Sequence, residues 1–221
     1  MSGWLHRWRQ RLSGLPAPGT VAPVSRWVVL DVETSGLDPA RDRLLAIAAV
    51  GLRVDWARQR LDIRLGDSFE VVLRQDEVSS RANILLHGIG AHSQRNGVDP
   101  VAALQGFVDF VADAPLLAFH SAFDEALIGR HVRQHLGLRL PNPWVDIEHL
   151  CAVTHPEVRA RSLDEWMARF GITCPQRHQA AADTLAECEL LLRVWPKLAR
   201  ECRQWRDVER LARQRRWLPQ A

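Results

Sequence analysis

Arg26-Trp27-Val28-Val29-Leu30-Asp31-Val32-Glu33-Thr34-Ser35-Gly36 is the stretch from which the fold can be read outward. Arg26 to Val32 is an apolar strand, and Thr34-Ser35-Gly36 stops it. Side chains on a strand alternate, so Asp31 and Glu33 point to the same side. Both stand at its C-terminal end, the end at which open α/β sheets bind ligands. Two carboxylates held side by side repel. A bridging cation removes that repulsion, and hard oxygen ligands suit Mg²⁺ or Mn²⁺. The same pair also fits a strand end that turns polar as it enters a solvated loop.

Beyond this strand, Leu44 to Val54 and Phe69 to Leu73 are the next strand candidates. Asp99-Pro100 is an N-cap followed by proline, and Leu104, Phe107, Val108 and Val111 follow at helical spacing. Pro115 to Phe119 is a short buried strand. Ser121 to Leu136 is a helix closed by Gly137. Trp144 to Ile147 is a strand that runs into a helix near Glu148. Ser162 to Phe170, ending at Gly171, and Ala180 to about Leu198 complete the helices. Three early strands with short connections are antiparallel neighbours, and later strands alternating with helices are parallel crossovers. The fold class is α/β, a mixed sheet of three antiparallel strands then parallel strands, flanked by helices.

Residues 1–13 read as a short amphipathic helix with Trp4, Leu5, Trp8 and Leu12 near one face, and 14–23 as a Gly- and Pro-rich linker. The expected organisation is a basic N-terminal extension and linker over 1–24, a folded domain over 25–198, and a basic C-terminal tail over 199–221. The tail carries Trp205, Leu211, Trp217 and Leu218, and reads either as a binding segment for a partner or for phosphates, or as a frayed basic helix.

The charge follows the same division. The chain is +3 overall, yet residues 1–26 are +4 and residues 197–221 are +5, which leaves the middle six charges negative. That middle is either a solvated acidic surface or a carboxylate site that binds phosphate only once cations occupy it. No apolar run approaches the roughly 20 residues that span a bilayer, and the N-terminus lacks the features of a signal peptide, so a cytoplasmic protein without a membrane span is expected. No two of the four cysteines have Cys-x-x-Cys spacing, which argues against a zinc site and for free thiols.

Two further elements carry acids. In Phe119-His120-Ser121-Ala122-Phe123-Asp124 a strand gives way to a helix and Asp124 falls in its first turn. Ser121 and Asp124 also have capping-box spacing, which explains the aspartate without any ligand. In His178-Gln179-Ala180-Ala181-Ala182-Asp183 the last helix opens with Asp183 facing inward. Five residues on one helix diverge by about 140°, so His178 belongs to the preceding loop, from which it reaches the cavity of Asp183. A surface histidine before an N-terminal aspartate is the bland alternative.

Together, in this order, Asp31-x-Glu33, Asp124 and His178-x-x-x-x-Asp183 resemble the DEDDh exonuclease family, which includes the epsilon proofreading subunit of bacterial DNA polymerase III, oligoribonuclease relatives and RNase T-like enzymes. The resemblance spans roughly residues 26–194. Asp31 to Leu37 looks like the family's first motif, and His87-Gly88-Ile89, Val145-Asp146 and Ser162-Leu163-Asp164 look like further family segments. The resemblance implies a ribonuclease H-like fold and metal-dependent 3′–5′ hydrolysis that releases nucleoside 5′-monophosphates. It implies two divalent ions, Mg²⁺ or Mn²⁺, held by Asp31, Glu33, Asp124 and Asp183, with His178 as general base. It places Thr34 and Ser35 at the backbone that grips the 3′ end, Leu37 against the terminal base, and Phe123 beside the site, where core packing is its simpler role. The expected substrates are single-stranded or frayed 3′ ends of DNA. The alternatives are an exoribonuclease of the oligoribonuclease or RNase T kind, and a non-catalytic nucleic-acid or polymerase-binding module. A polymerase or other protein partner is expected at the basic termini. His120 and Arg177 stand near the motifs, the latter as a phosphate contact or plain surface.

Overall fold

A computed structural model of the chain describes residues 24–217. The N-terminal helix and linker expected before Val24, and Leu218 of the tail, lie outside the described residues. The first strand, β1 (Val24–Thr34), is flanked by β2 (Leu44–Asp55) and by β4 (Leu116–Ala118) in a five-stranded sheet. With β3 (Arg60–Val72) and β5 (Trp144–Asp146) the order is β3-β2-β1-β4-β5. β1, β2 and β3 are antiparallel in turn, whereas β4 and β5 run parallel to β1, the mixed sheet that the sequence predicts.

The continuous apolar run of β1 follows from its central place. Val28, Leu30 and Val32 face one core, shared with Leu104 and Phe107 of α3 (Pro100–Val111) and Leu127 and Ile128 of α4 (Ala122–Leu136). Trp27 and Val29 face the other. There they meet Leu150 of α5 (Ile147–Thr154), Trp166 of α6 (Leu163–Phe170), and Leu190, Leu191 and Val194 of α7 (Ala180–Glu201). A strand buried on both faces has no room for polar alternation until it leaves the core. Asp31 and Glu33 continue the parity of Trp27 and Val29, so they emerge on the face that α7 covers.

β3 starts at Arg60, earlier than the expected Phe69. Its first half is an edge strand with Arg60, Asp62, Arg64 and Asp67, whose polar side chains hide the strand signal while its backbone pairs with β2. Gly51 makes one contact of this edge possible: a Cβ there would lie 1.9 Å from Asp67 Oδ2. Without it, the Asp67 carboxylate reaches Arg26 of β1, accepting from Nε at 2.7 Å and Nη2 at 2.8 Å.

Two short helices, α1 (Arg81–His87) and α2 (Ala91–Arg95), were not expected from the sequence. α1 exposes Leu85 and Leu86 and buries His87, so it shows no apolar stripe. It is defined by its ends: Ser80 Oγ accepts from Asn83 N–H, and Gly88 closes it at φ +75°.

Structure continues past residue 198, where the folded domain is expected to end. α7 runs on to Glu201, and α8 (Trp205–Ala212) with a 3₁₀ turn (Arg213–Trp217) folds back on the domain. Val208, Leu211 and Ala212 are buried. The Trp205 ring meets that of Trp27 edge-on at 5.0 Å between centroids. Arg215 Nε donates to both Glu148 oxygens at 3.1 Å, in a pair almost removed from solvent. The apolar positions 205, 208, 211 and 212 form one helical face, which the many arginines around them obscure.

Candidate active site

The C-terminal end of β1, the strand-to-helix turn after β4 and the start of α7 meet at one place. Carboxylate oxygens of Asp31, Glu33 and Asp183 lie within 4.8 Å of one another. β1 supplies Asp31 and Glu33 through its alternation, and α7 supplies Asp183 from its first turn, where the helix dipole favours an anion. Asp124 sits in the first turn of α4, 4% exposed. Ser121 makes no side-chain capping bond to that helix, so the capping explanation for the Ser-x-x-Asp spacing does not describe this turn.

The electrostatics of the cluster are those of anions crowded out of water. Burial, then the charge of Asp183, pushes the Asp31 carboxyl up to about 8. Burial, then Asp31 and Asp183, pushes Glu33 up to about 9. Burial, then Asp31, raises Asp124 well above the carboxylate range. A group of acids that oppose one another in this way suits a divalent cation, and their hard oxygens match Mg²⁺ or Mn²⁺.

Around Asp183 the last loop is closely organised. Its Oδ2 accepts from the backbone N–H of His178 at 3.0 Å, and its Oδ1 takes the Arg177 guanidinium. Arg177 also donates to Asp164 of α6 at 2.6 Å. Arg177 is therefore a counter-charge of the cluster rather than bare surface. His178 takes a left-handed backbone, φ +61°, on the loop before α7, and its side chain is exposed. The structure thus puts the histidine beside the three-carboxylate group rather than within it. His120, also left-handed at φ +60°, is exposed and donates its N–H to Asp146 Oδ1 at 3.0 Å.

The loop after Glu33 is built on Asp42. Ser35 Oγ donates to Asp42 Oδ1 at 2.9 Å and accepts from Arg43 N–H at 2.9 Å, so the Ser35 hydroxyl serves the loop itself. Thr34 Oγ1 donates to Gly36 O. Leu37 stands 92% exposed on the loop after Glu33. Phe123 is partly buried against the core shared by α3 and α4.

Two residues of this region are given no role at the site by the sequence, Asp146 standing there only within a family segment. Asp146 caps α5, accepting from Glu148 N–H at 2.9 Å, and its bond to His120 fixes the turn that carries Asp124. Glu187 is 1% exposed on α7, and burial, followed by the charges of Asp31 and Asp124, raises it well above the carboxylate range. Its spacing of four from Asp183 places both on one helix face, a signal available in the sequence.

Residues 28–191 match the model of the RNase T-type exonuclease family. The chain belongs to this exonuclease family. By that membership it carries an exonuclease domain, in agreement with the DEDDh resemblance of its motifs. It is 31% identical over 175 residues to a DNA polymerase III subunit epsilon-like protein of Rhodobacter capsulatus, across 78% of this chain and 24% of that protein. It is 28% identical over 182 residues to the PolC-type DNA polymerase III of Bacillus subtilis, across 82% of this chain and 12% of that protein. The exonuclease chain therefore spans about a quarter or less of the length of these relatives. Among solved structures, E. coli exonuclease I in complex with a dT13 oligonucleotide superposes with a TM-score of 0.63 at 20% identity, across 79% of this chain and 42% of that one. That likeness is one of fold, the ribonuclease H-like mixed sheet.

Proposed function

We propose that this exonuclease removes nucleotides stepwise from single-stranded or frayed 3′ ends of DNA, releasing nucleoside 5′-monophosphates, with two Mg²⁺ or Mn²⁺ ions as cofactors. The observation that carries the reading is the convergence of Asp31, Glu33 and Asp183 oxygens within 4.8 Å of one another, at a place where burial and the neighbouring carboxylates push Asp31 and Glu33 up. Asp31, Glu33 and Asp183 would hold one cation, and Asp31 with Asp124 would hold the second. Bound there, the cations would offset the negative charge that an in-line displacement at phosphorus develops on its attacking and leaving oxygens.

The chain's own groups do the rest. His178, on its exposed loop beside Asp183, accepts the proton of the attacking water. The backbone at Thr34 and Ser35 holds the terminal nucleotide, Leu37 packs against its base, and Phe123 borders the pocket. DNA is favoured over RNA because the relatives are named for DNA polymerase III and the exonuclease I neighbour is seen with a DNA oligonucleotide.

A second contact surface lies at the C-terminal end. Arg210, Arg213, Gln214, Arg216 and Trp217 line a hollow of about 440 Å³, with the Arg216 guanidinium 4.8 Å from the centre of the Trp217 ring. It suits a polymerase or another protein partner, or the phosphates of the strand. No described helix is long and apolar enough to cross a membrane. The four cysteines are free, which fits a reducing compartment, and we place the enzyme in the cytoplasm.

The test is a set of matched single-stranded DNA and RNA oligonucleotides labelled at the 5′ end, incubated with Mg²⁺, Mn²⁺ or EDTA. The expected result is a ladder shortening from the 3′ end, faster on DNA and lost in EDTA. Faster shortening of RNA would overturn the substrate, and shortening that persists in EDTA would overturn the metal-dependent mechanism.

A further inference from the structure

Glu187 is a buried acid whose carboxylate is engaged by the backbone N–H of Phe119. It follows Asp183 by four residues on α7, so both side chains leave the same face about one turn apart. Its neighbours Ala186 and Cys188 belong to the core, and the residue itself is 1% exposed. Its Oε2 is out of solvent and has no hydrogen-bond partner. Asp31, Asp124 and Asp183 are near enough for their charges to act on it. Glu187 therefore faces the carboxylate cluster from the helix side.

An orphaned carboxyl oxygen in a protein interior costs stability whether the group is charged or neutral. A leucine or methionine would fill the same space without that cost. Placing the acid beside Asp31 and Asp124 compounds it, since each added anion repels the others. A cation held on the far side of those carboxylates offsets that repulsion. Outer carboxylates in that position orient the inner ligands and strengthen the hold on the metal.

We propose that Glu187 is a positioning residue for the cation held by Asp31 and Asp124, acting through those two carboxylates and the water around them. This rests on the metal-dependent reading above. Glu187 then belongs to the metal centre of this chain as a sixth polar group beside Asp31, Glu33, Asp124, His178 and Asp183.

The test is a calorimetric titration of the metal-free full-length chain with Mn²⁺, without nucleic acid, on wild type, Glu187→Gln and Glu187→Leu. Both variants are expected to melt at or above the wild-type temperature in EDTA, because each removes an acid that burial and its neighbours hold back from ionising. Both are expected to need about tenfold or more Mn²⁺ for half-maximal binding. The Mn²⁺ concentration giving half-maximal DNA shortening should rise in parallel. Unchanged Mn²⁺ binding in both variants, with wild type binding and active, would show a merely structural acid and overturn this inference alone. A wild-type chain that binds no Mn²⁺ would overturn this inference together with the metal-dependent function.

Discussion

The side-chain amide of Asn83 donates to the main-chain oxygen of Thr34 across 2.8 Å. This bond ties α1 to the loop proposed to hold the 3′ nucleotide. Its direction is set further back. Ile89 N–H donates to His87 Nδ1 at 2.9 Å, so the ring proton sits on Nε2 and is donated to Asn83 Oδ1 at 2.8 Å. The amide then has only its Nδ2 hydrogens to offer Thr34. Burial lowers the His87 pKa, which keeps the ring neutral and the relay in this sense. Asn83→Ala removes one such bond, worth about 1 kcal/mol. The expected outcome is a KM for a DNA oligonucleotide raised by about fivefold with a smaller change in kcat. Steady-state kinetics on the two proteins decides it; a fall confined to kcat would place Asn83 elsewhere in the reaction.

Asp31→Asn and Asp183→Asn each remove one of three converging carboxylates while keeping shape. Turnover in Mg²⁺ should drop to the level of wild type in EDTA. Melting in EDTA should move the other way, upward by a few degrees, since a repelling neighbour is gone. For Asp183 the gain is offset by the lost pairing with Arg177 and His178 N–H, so Asp31→Asn should show the larger rise. A variant with full metal-dependent activity would remove its residue from the mechanism.

His178→Ala separates proton transfer from metal binding. The side chain is exposed and outside the group of close oxygens, whereas its backbone N–H holds Asp183. The substitution keeps that N–H. A general base lost in this way costs about 10²–10⁴-fold in kcat, with Mn²⁺ affinity by calorimetry unchanged. An equal loss in both quantities would make His178 a ligand instead.

The legible part of this molecule is the part where chemistry and backbone pattern coincide. Asp31 and Glu33 were readable because an apolar strand ends in two acids with strand parity. Asp183 was readable because a helix begins there. Glu187 was not singled out, although it shares a face with Asp183, because a glutamate in a charged helix looks solvated until its burial is known. The edge half of β3 and the helix α1 were hidden for a related reason: paired backbone and caps define them, whereas Leu85, Leu86 and the charges of residues 60–67 do not mark an inside face.

The C-terminal segment gives the clearest difference between sequence pattern and packing. Arginines at 206, 210, 213, 215 and 216 suggest a solvated tail, yet Trp205, Val208 and Leu211 pack on the core beneath them. Leu211→Ala should cost about 2–3 kcal/mol, or about 5–10 °C in Tm. Arg215→Ala should also destabilise, by about 3 kcal/mol, because it leaves Glu148 buried without its partner. Thermal melts of both variants test whether the folded unit includes this segment; wild-type melting in both would restore the boundary near residue 198.

The cluster also fixes how stability changes with pH. Asp31 is held at about 8 and Glu33 at about 9, whereas an unfolded chain ionises such groups near pH 4. Between these limits the unfolded chain has released protons that the folded one keeps, so each step up in pH favours unfolding. The contribution of these two groups is therefore fully present below about pH 4 and is lost as pH rises through about 8 and 9. In EDTA, Tm should fall steadily from pH 6 to pH 9, a direction opposite to that of acids stabilised by salt bridges. Saturating Mg²⁺ or Mn²⁺ binds the deprotonated carboxylates, displaces the protons and should raise Tm most at the alkaline end. Melting curves across this range with and without the cation measure the effect. Asp31→Asn in EDTA should flatten the slope, because it removes one raised group and relieves Glu33. An equally steep slope in that variant would assign the pH dependence to groups outside the cluster.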